Sequence, residues 1–116
     1  MARVKRGFKA RRRRNRVLKQ TEGFWGGRKN RFRQAVEVLH KAWHYAYTGR
    51  KLRKRDFRRL WITRINAAAR QNGTTYGRLI HNLKSATIDL DRKVLADIAV
   101  HDPEGFAAVV DTARQS

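Results

Sequence analysis

The chain has 116 residues, 29 Lys and Arg against 9 Asp and Glu, a formal net charge of +20 and no cysteine. That length leaves room for one small domain and a long extension rather than two substantial cores. Without cysteine there is no disulfide framework, thiolate metal site or cysteine nucleophile, and no apolar run reaches the roughly 18 residues of a membrane span. The charge is uneven. The first 72 residues hold 24 bases and three acids (Glu22, Glu37, Asp56), a local net charge of +21, and the last 44 hold five bases and six acids.

So few acids cannot neutralise the first two-thirds internally, which calls for an external polyanion. Arg outnumbers Lys 20 to 9, and the guanidinium fork suits bidentate phosphate contacts and stacking on bases. Both features point to nucleic acid. The basic N-terminus is followed by no apolar h-region, and its first 20 residues lack the Ser of a transit peptide, so the expected location is cytoplasmic.

Taken in order, residues 1 to about 30 read as a basic arm with a short helix near residues 10–20, ordered only when bound. The arm carries Arg3, Lys5, Arg6, Lys9, the run Arg11, Arg12, Arg13, Arg14, then Arg16 and Lys19. A break follows at Gly23-Phe24-Trp25-Gly26-Gly27, with Arg28, Lys29, Arg31 and Arg33 beyond it.

At 100° per residue, Phe32, Ala35, Val36, Leu39, Trp43, Ala46 and Tyr47 share one helical face, and Phe57, Trp61, Ile65 and Ala68 return to it. Trp43 and Trp61 are 18 residues apart, about five whole turns, and a break at Gly49 would not preserve that phase. One helix is expected from about 31 to 72, ended by Asn72-Gly73. In its middle Arg50, Arg53 and Lys54 occupy the apolar face, while Lys51, Arg55, Arg58 and Arg59 cover the opposite side. A helix basic all round cannot rest on a protein core there.

Beyond Gly73, Tyr76, Leu79, Ile80 and Leu83 form the apolar face of a short helix capped by Thr74 or Thr75. Leu90, Val94, Leu95 and Ile98 form a second, opened near Asp89 or Asp91. Asp102-Pro103 starts a third, with Phe106, Val109, Val110 and Ala113 inward. The three are expected to pack on Phe57, Leu60, Trp61, Ile65 and Ala68. The fold class is therefore all-α, with residues 1–55 a basic extension and 56–116 a small helical domain.

The expected RNA-binding groups are the arm and rod bases named above, with Trp25 as a base-stacking platform and Tyr45 and Tyr47 as further candidates. His40 and His44 stand at i, i+4, but Lys41-Ala42-Trp43 lies between them, so the Glu of a zinc-protease motif is missing. No Ser/His/Asp or paired-carboxylate constellation and no phosphate loop is present, so neither catalysis nor a cofactor is expected. A basic zipper would need a heptad Leu seam, and a membrane-surface helix a clean apolar face that Arg50, Arg53 and Lys54 spoil. A DNA-compacting architectural protein shares the charge pattern and stays open at this point.

The start Ala2-Arg-Val-Lys-Arg-Gly7, the turn Gly23-Phe-Trp-Gly26 and the block from Tyr45-Ala-Tyr47 through Arg53-Lys-Arg-Asp-Phe-Arg-Arg-Leu-Trp-Ile62 resemble one bacterial ribosomal protein family, the twentieth protein of the large subunit. Arg64-Ile-Asn-Ala-Ala-Ala-Arg-Gln-Asn-Gly73 and Leu90-Asp-Arg-Lys-Val-Leu-Ala-Asp-Ile-Ala99 continue the match, which covers essentially the whole chain. His40, Trp43 and His44 depart from the family's pattern. The resemblance implies an N-terminal extension threaded into large-subunit rRNA, a small helical domain on its surface, an early role in subunit assembly, and neighbouring ribosomal proteins as contacts. Some family members also repress their own mRNA through the C-terminal domain, for which the local bases here would be Arg78, Lys84, Arg92 and Lys93.

Overall fold

In a computed structural model, residues 2–116 are described. They form five α-helices and no strand: α1 (Gly7–Gln20), α2 (Phe32–Gln71), α3 (Tyr76–Ser85), α4 (Arg92–His101) and α5 (Pro103–Gln115), with a 3-10 turn at Gly26–Arg28 between the first two. The chain divides into two compact units, Met1–Lys51 and Leu52–Ser116. Helix α2 contributes its first half to one and its second half to the other. Its 40 residues run through Gly49 without a break, as the conserved phase of Trp43 and Trp61 requires.

In the N-terminal unit, α1 is longer than the sequence indicated and starts at Gly7. Ala35 and Leu39 on α2 are buried, and Val17, Leu18, Phe24, Phe32, Val36 and Val38 are half-buried. Thr21 is wholly buried. Its hydroxyl bridges two carbonyls, Leu18 O at 3.1 Å and Lys29 O at 3.0 Å, and so ties the end of α1 to the loop before α2. A hydroxyl carries one proton, so it donates to one carbonyl at a time. The arm thus contains a small apolar contact region of its own. It was not read from the sequence because two adjacent apolar residues at the end of α1, Val17 and Leu18, are too few to establish a period.

The C-terminal unit holds the larger core. Ile65, Ala68 and Ala69 of α2 meet Leu79 and Leu83 of α3, Leu95 and Ala96 of α4, and Phe106, Val110 and Ala113 of α5. Trp61, Tyr76, Ile80, Ile98 and Val109 cover its margin. The core differs from expectation at Phe57, Leu60 and Val94, which are exposed. Phe57 instead lies against Trp61, ring centroids 6.2 Å apart. Periodicity identifies a helix face, but not how far along that face the other helices reach.

Local signals place the helix ends. α2 closes in a Schellman motif: Thr74 N–H donates to Ala69 O (3.0 Å) and Gly73 N–H to Arg70 O (3.1 Å), with Gly73 at φ +74°. Arg114 Nη2, near the end of α5, donates to Asn72 O (2.8 Å), so the last helix is fixed to that turn. α3 ends the same way, with Ile88 N–H to Leu83 O and Thr87 N–H to Lys84 O, but here Thr87 takes the left-handed position at φ +55°. Thr75 is the N-cap of α3 by conformation without a side-chain bond, and Asn66 Oδ1 accepts from Tyr76 N–H instead (3.3 Å). Asp91, rather than Asp89, caps α4 through Val94 N–H at 2.7 Å. Asp102 caps α5 through Gly105 N–H at 2.9 Å, with Pro103 in its first turn.

Candidate nucleic-acid interface

Positive charge dominates the N-terminal unit, where Glu22 and Glu37 are the only acids. Among the described residues, no Lys or Arg forms an ion pair; the sole pair is the exposed Asp97–His101 contact at 3.0 Å in α4. In the N-terminal unit the guanidinium and ammonium groups are therefore free of carboxylate partners and can meet an external anion. Aligning them without partners is unfavourable in isolation, and a polyphosphate backbone relieves the repulsion.

The structure gathers part of the expected set. Arg6, Lys9, Arg13 and Arg14 of α1 line a groove with Phe32 and Arg33 at the start of α2. Arg13 and Arg14 stand over the Phe32 ring at 5.9 and 5.7 Å, so cation–π attraction steadies two of the five bases. A second surface collects Lys5, Arg6, Arg11 and Arg14 beside Asn15 and Leu18. Arg12 lies over Phe8 at 5.0 Å. Arg3, Arg16, Lys19, Lys29 and Arg31 are exposed and join neither group. Arg28 lies elsewhere, in a cleft with Phe24, Glu37, Val38, Lys41, Ala42 and Tyr45.

On α2, every residue from Trp43 to Leu60 is exposed. This span holds Tyr45, Tyr47, Arg50, Lys51, Arg53, Lys54, Arg55, Arg58 and Arg59. A 3.6-residue repeat directs these side chains all round the helix, so this stretch offers charge in every direction and no face to a protein core.

The aromatic candidates are accessible. Trp25 is 85% exposed, Tyr45 63% and Tyr47 52%. Lys41 Nζ lies 5.8 Å from the Tyr45 centroid, and Lys51 Nζ 4.4 Å from that of Tyr47. His40 is exposed beside Trp43, with centroids 5.6 Å apart. Lys41 and the rings of Phe8, Phe24 and Phe32 were missed from sequence. The i, i+4 spacing of Lys41 and Tyr45 was a readable signal, whereas the approach of Phe32 to Arg13 and Arg14 depends on the chain reversing between α1 and α2.

In the C-terminal unit, Trp61, Arg64, Lys93 and Val94 line a cleft with Asp91 and Asp97, a mixed-charge surface unlike the groove of the arm. Arg78, Lys84 and Lys93 are exposed. Arg92 Nε donates to Tyr76 Oη at 2.7 Å and is partly committed to the fold.

Comparison with known proteins gives the chain's family. The family model described as ribosomal protein L20 matches residues 3–109. A relative named large ribosomal subunit protein bL20, from Sorangium cellulosum, is 74% identical over 113 residues, covering 97% of this chain and 95% of its own length. The proteins of the same name from Geobacter metallireducens and Pelobacter propionicus are each 59% identical, over 98% and 100% of this chain and 97% and 99% of their own lengths. With matches so long, an acid-poor basic arm, a fully exposed basic helix segment and a compact helical C-terminal unit identify the chain as a member of the ribosomal protein L20 family.

Proposed function

We propose that this chain, a structural constituent of the large ribosomal subunit and not an enzyme, organises large-subunit rRNA by neutralising backbone charge along residues 1–55 and the bases that follow on α2. The reading rests on one observation above all: 18 consecutive residues, 43–60, are exposed, and none of the seven bases among them forms an ion pair. Each base that meets a phosphate displaces condensed counterions and lets backbones approach that would otherwise repel. Phosphate contacts position the protein but do not read sequence. Selectivity then comes from RNA shape and from bases stacked on Trp25, Tyr45 and Tyr47.

In this role the protein works in the cytoplasm within the ribosome. Its partners are rRNA and neighbouring large-subunit proteins, and the contacts are made early in assembly. The test is reconstitution of large-subunit particles with the full chain or with a variant lacking residues 2–50. The truncated form is expected to stay soluble and fail to incorporate; incorporation at full affinity would show that the basic extension is not the anchor. A second activity, binding of its own mRNA by the C-terminal unit, is supported only by exposed Arg78, Lys84 and Lys93. Changing those three to Gln removes any such repression, or the activity does not reside there.

A further inference from the structure

Glu37 is out of place in the surface just described. It lies on α2 and lines an open cleft of about 540 Å³ together with Phe24, Arg28, Lys41 and Tyr45. A second cleft, which includes Trp25, shares Arg28 and Glu37 with it. Lys41 is the natural i, i+4 partner of Glu37 on the helix. Its ammonium instead lies 5.8 Å from the Tyr45 ring centroid, and among the described residues Glu37 makes no ion pair with it or with Arg28. A carboxylate with free acceptor sites thus stands among aromatic rings, with cations at the rim.

This combination selects its occupant. A phosphate would be repelled by Glu37, and a cationic side chain by Arg28 and Lys41. A neutral heterocycle with N–H donors on its edge meets neither repulsion. Resting on the rRNA reading above, we infer that this cleft receives one unpaired base of the RNA, and that the base is guanine. A carboxylate offers two acceptor oxygens side by side. Guanine alone presents two adjacent donors, N1–H and N2–H2, on its Watson–Crick edge. The amine of cytosine or adenine is flanked there by a ring-nitrogen acceptor, and N3–H of uracil by two carbonyl oxygens. Tyr45 and Phe24 supply ring faces for stacking, Arg28 and Lys41 hold the flanking phosphates, and Trp25 in the adjoining cleft takes a neighbouring base.

The experiment measures binding of four fluorescent RNA hexamers by the full-length protein at roughly physiological salt. Each hexamer is uridine throughout except for one central G, A, C or U. The guanine-containing RNA is expected to bind about tenfold more tightly than the others, the discrimination typical of a good bidentate pair. Glu37→Gln is expected to erase that preference while binding the all-uridine RNA at least as well, since it removes a negative charge. Equal affinity of the unaltered protein for all four, or a guanine preference that survives in E37Q, would overturn the assignment. Selective binding of a large-subunit rRNA fragment over duplex DNA is recorded in parallel. Its loss in the unaltered protein would count against the broader rRNA reading instead.

Discussion

Replacing Arg53, Lys54 and Arg58 on α2 with Gln should weaken rRNA binding about a hundredfold at roughly 0.15 M salt and leave the fold intact. All three side chains are exposed and unpaired, so no internal contact is lost, and Gln is nearly as good a helix former as Arg or Lys. The loss comes from counterion release. Each phosphate contact contributes about 0.7–0.9 to the slope of log affinity against log salt. Losing three contacts lowers that slope by about 2 to 3, which amounts to roughly two decades of affinity at 0.15 M. The assay is a salt titration of binding to a large-subunit rRNA fragment, with helicity followed by circular dichroism. An unchanged slope with normal helicity would mean that these bases do not touch phosphate, and the charge-neutralisation account of α2 would fail.

Three further changes probe the scaffold. Gly49→Ala should stabilise the protein by about 0.5–1 kcal/mol in thermal denaturation, because Gly49 lies inside α2 with nothing within 4 Å of an added Cβ; destabilisation would mean that the helix bends there. Thr87→Gly should stabilise by about 1 kcal/mol by relieving a β-branched residue at φ +55°, read from the shift in melting temperature. Thr21→Val keeps the shape but removes the hydroxyl's bond to the loop carbonyl Lys29 O, and should cost about 1 kcal/mol. Its signature is faster amide hydrogen exchange at the end of α1 and in the loop to α2, with no change in the C-terminal unit.

Much of this architecture was readable from spacing. The common phase of Trp43 and Trp61 specified one continuous helix through Gly49, since only unbroken 3.6-residue winding keeps them aligned. Asn72-Gly73 and Asp102-Pro103 marked helix ends because their backbone and side-chain chemistry acts within a few residues. What escaped depends on distant parts of the chain. Phe57 and Leu60 have the phase of core residues, yet α3–α5 do not cover that stretch. Thr21 is buried because the chain turns back after α1, which no local pattern records. The basic side chains were legible as a class from the lack of acids, but their grouping of Arg6, Lys9, Arg13 and Arg14 with Phe32 and Arg33 follows from helix placement. Glu37, read only as one of three scarce acids, gained significance once the structure set it among Phe24, Lys41 and Tyr45.

The central claim is that this surface fits folded ribosomal RNA and is not a general polyanion trap. Its most direct test is competition at roughly physiological salt, with a labelled large-subunit rRNA fragment bound to the full-length protein and challenged by excess duplex DNA. The account predicts that the RNA stays bound over a large excess of DNA. Displacement at equal concentration would contradict it and leave a charge-driven binder with no preference for RNA.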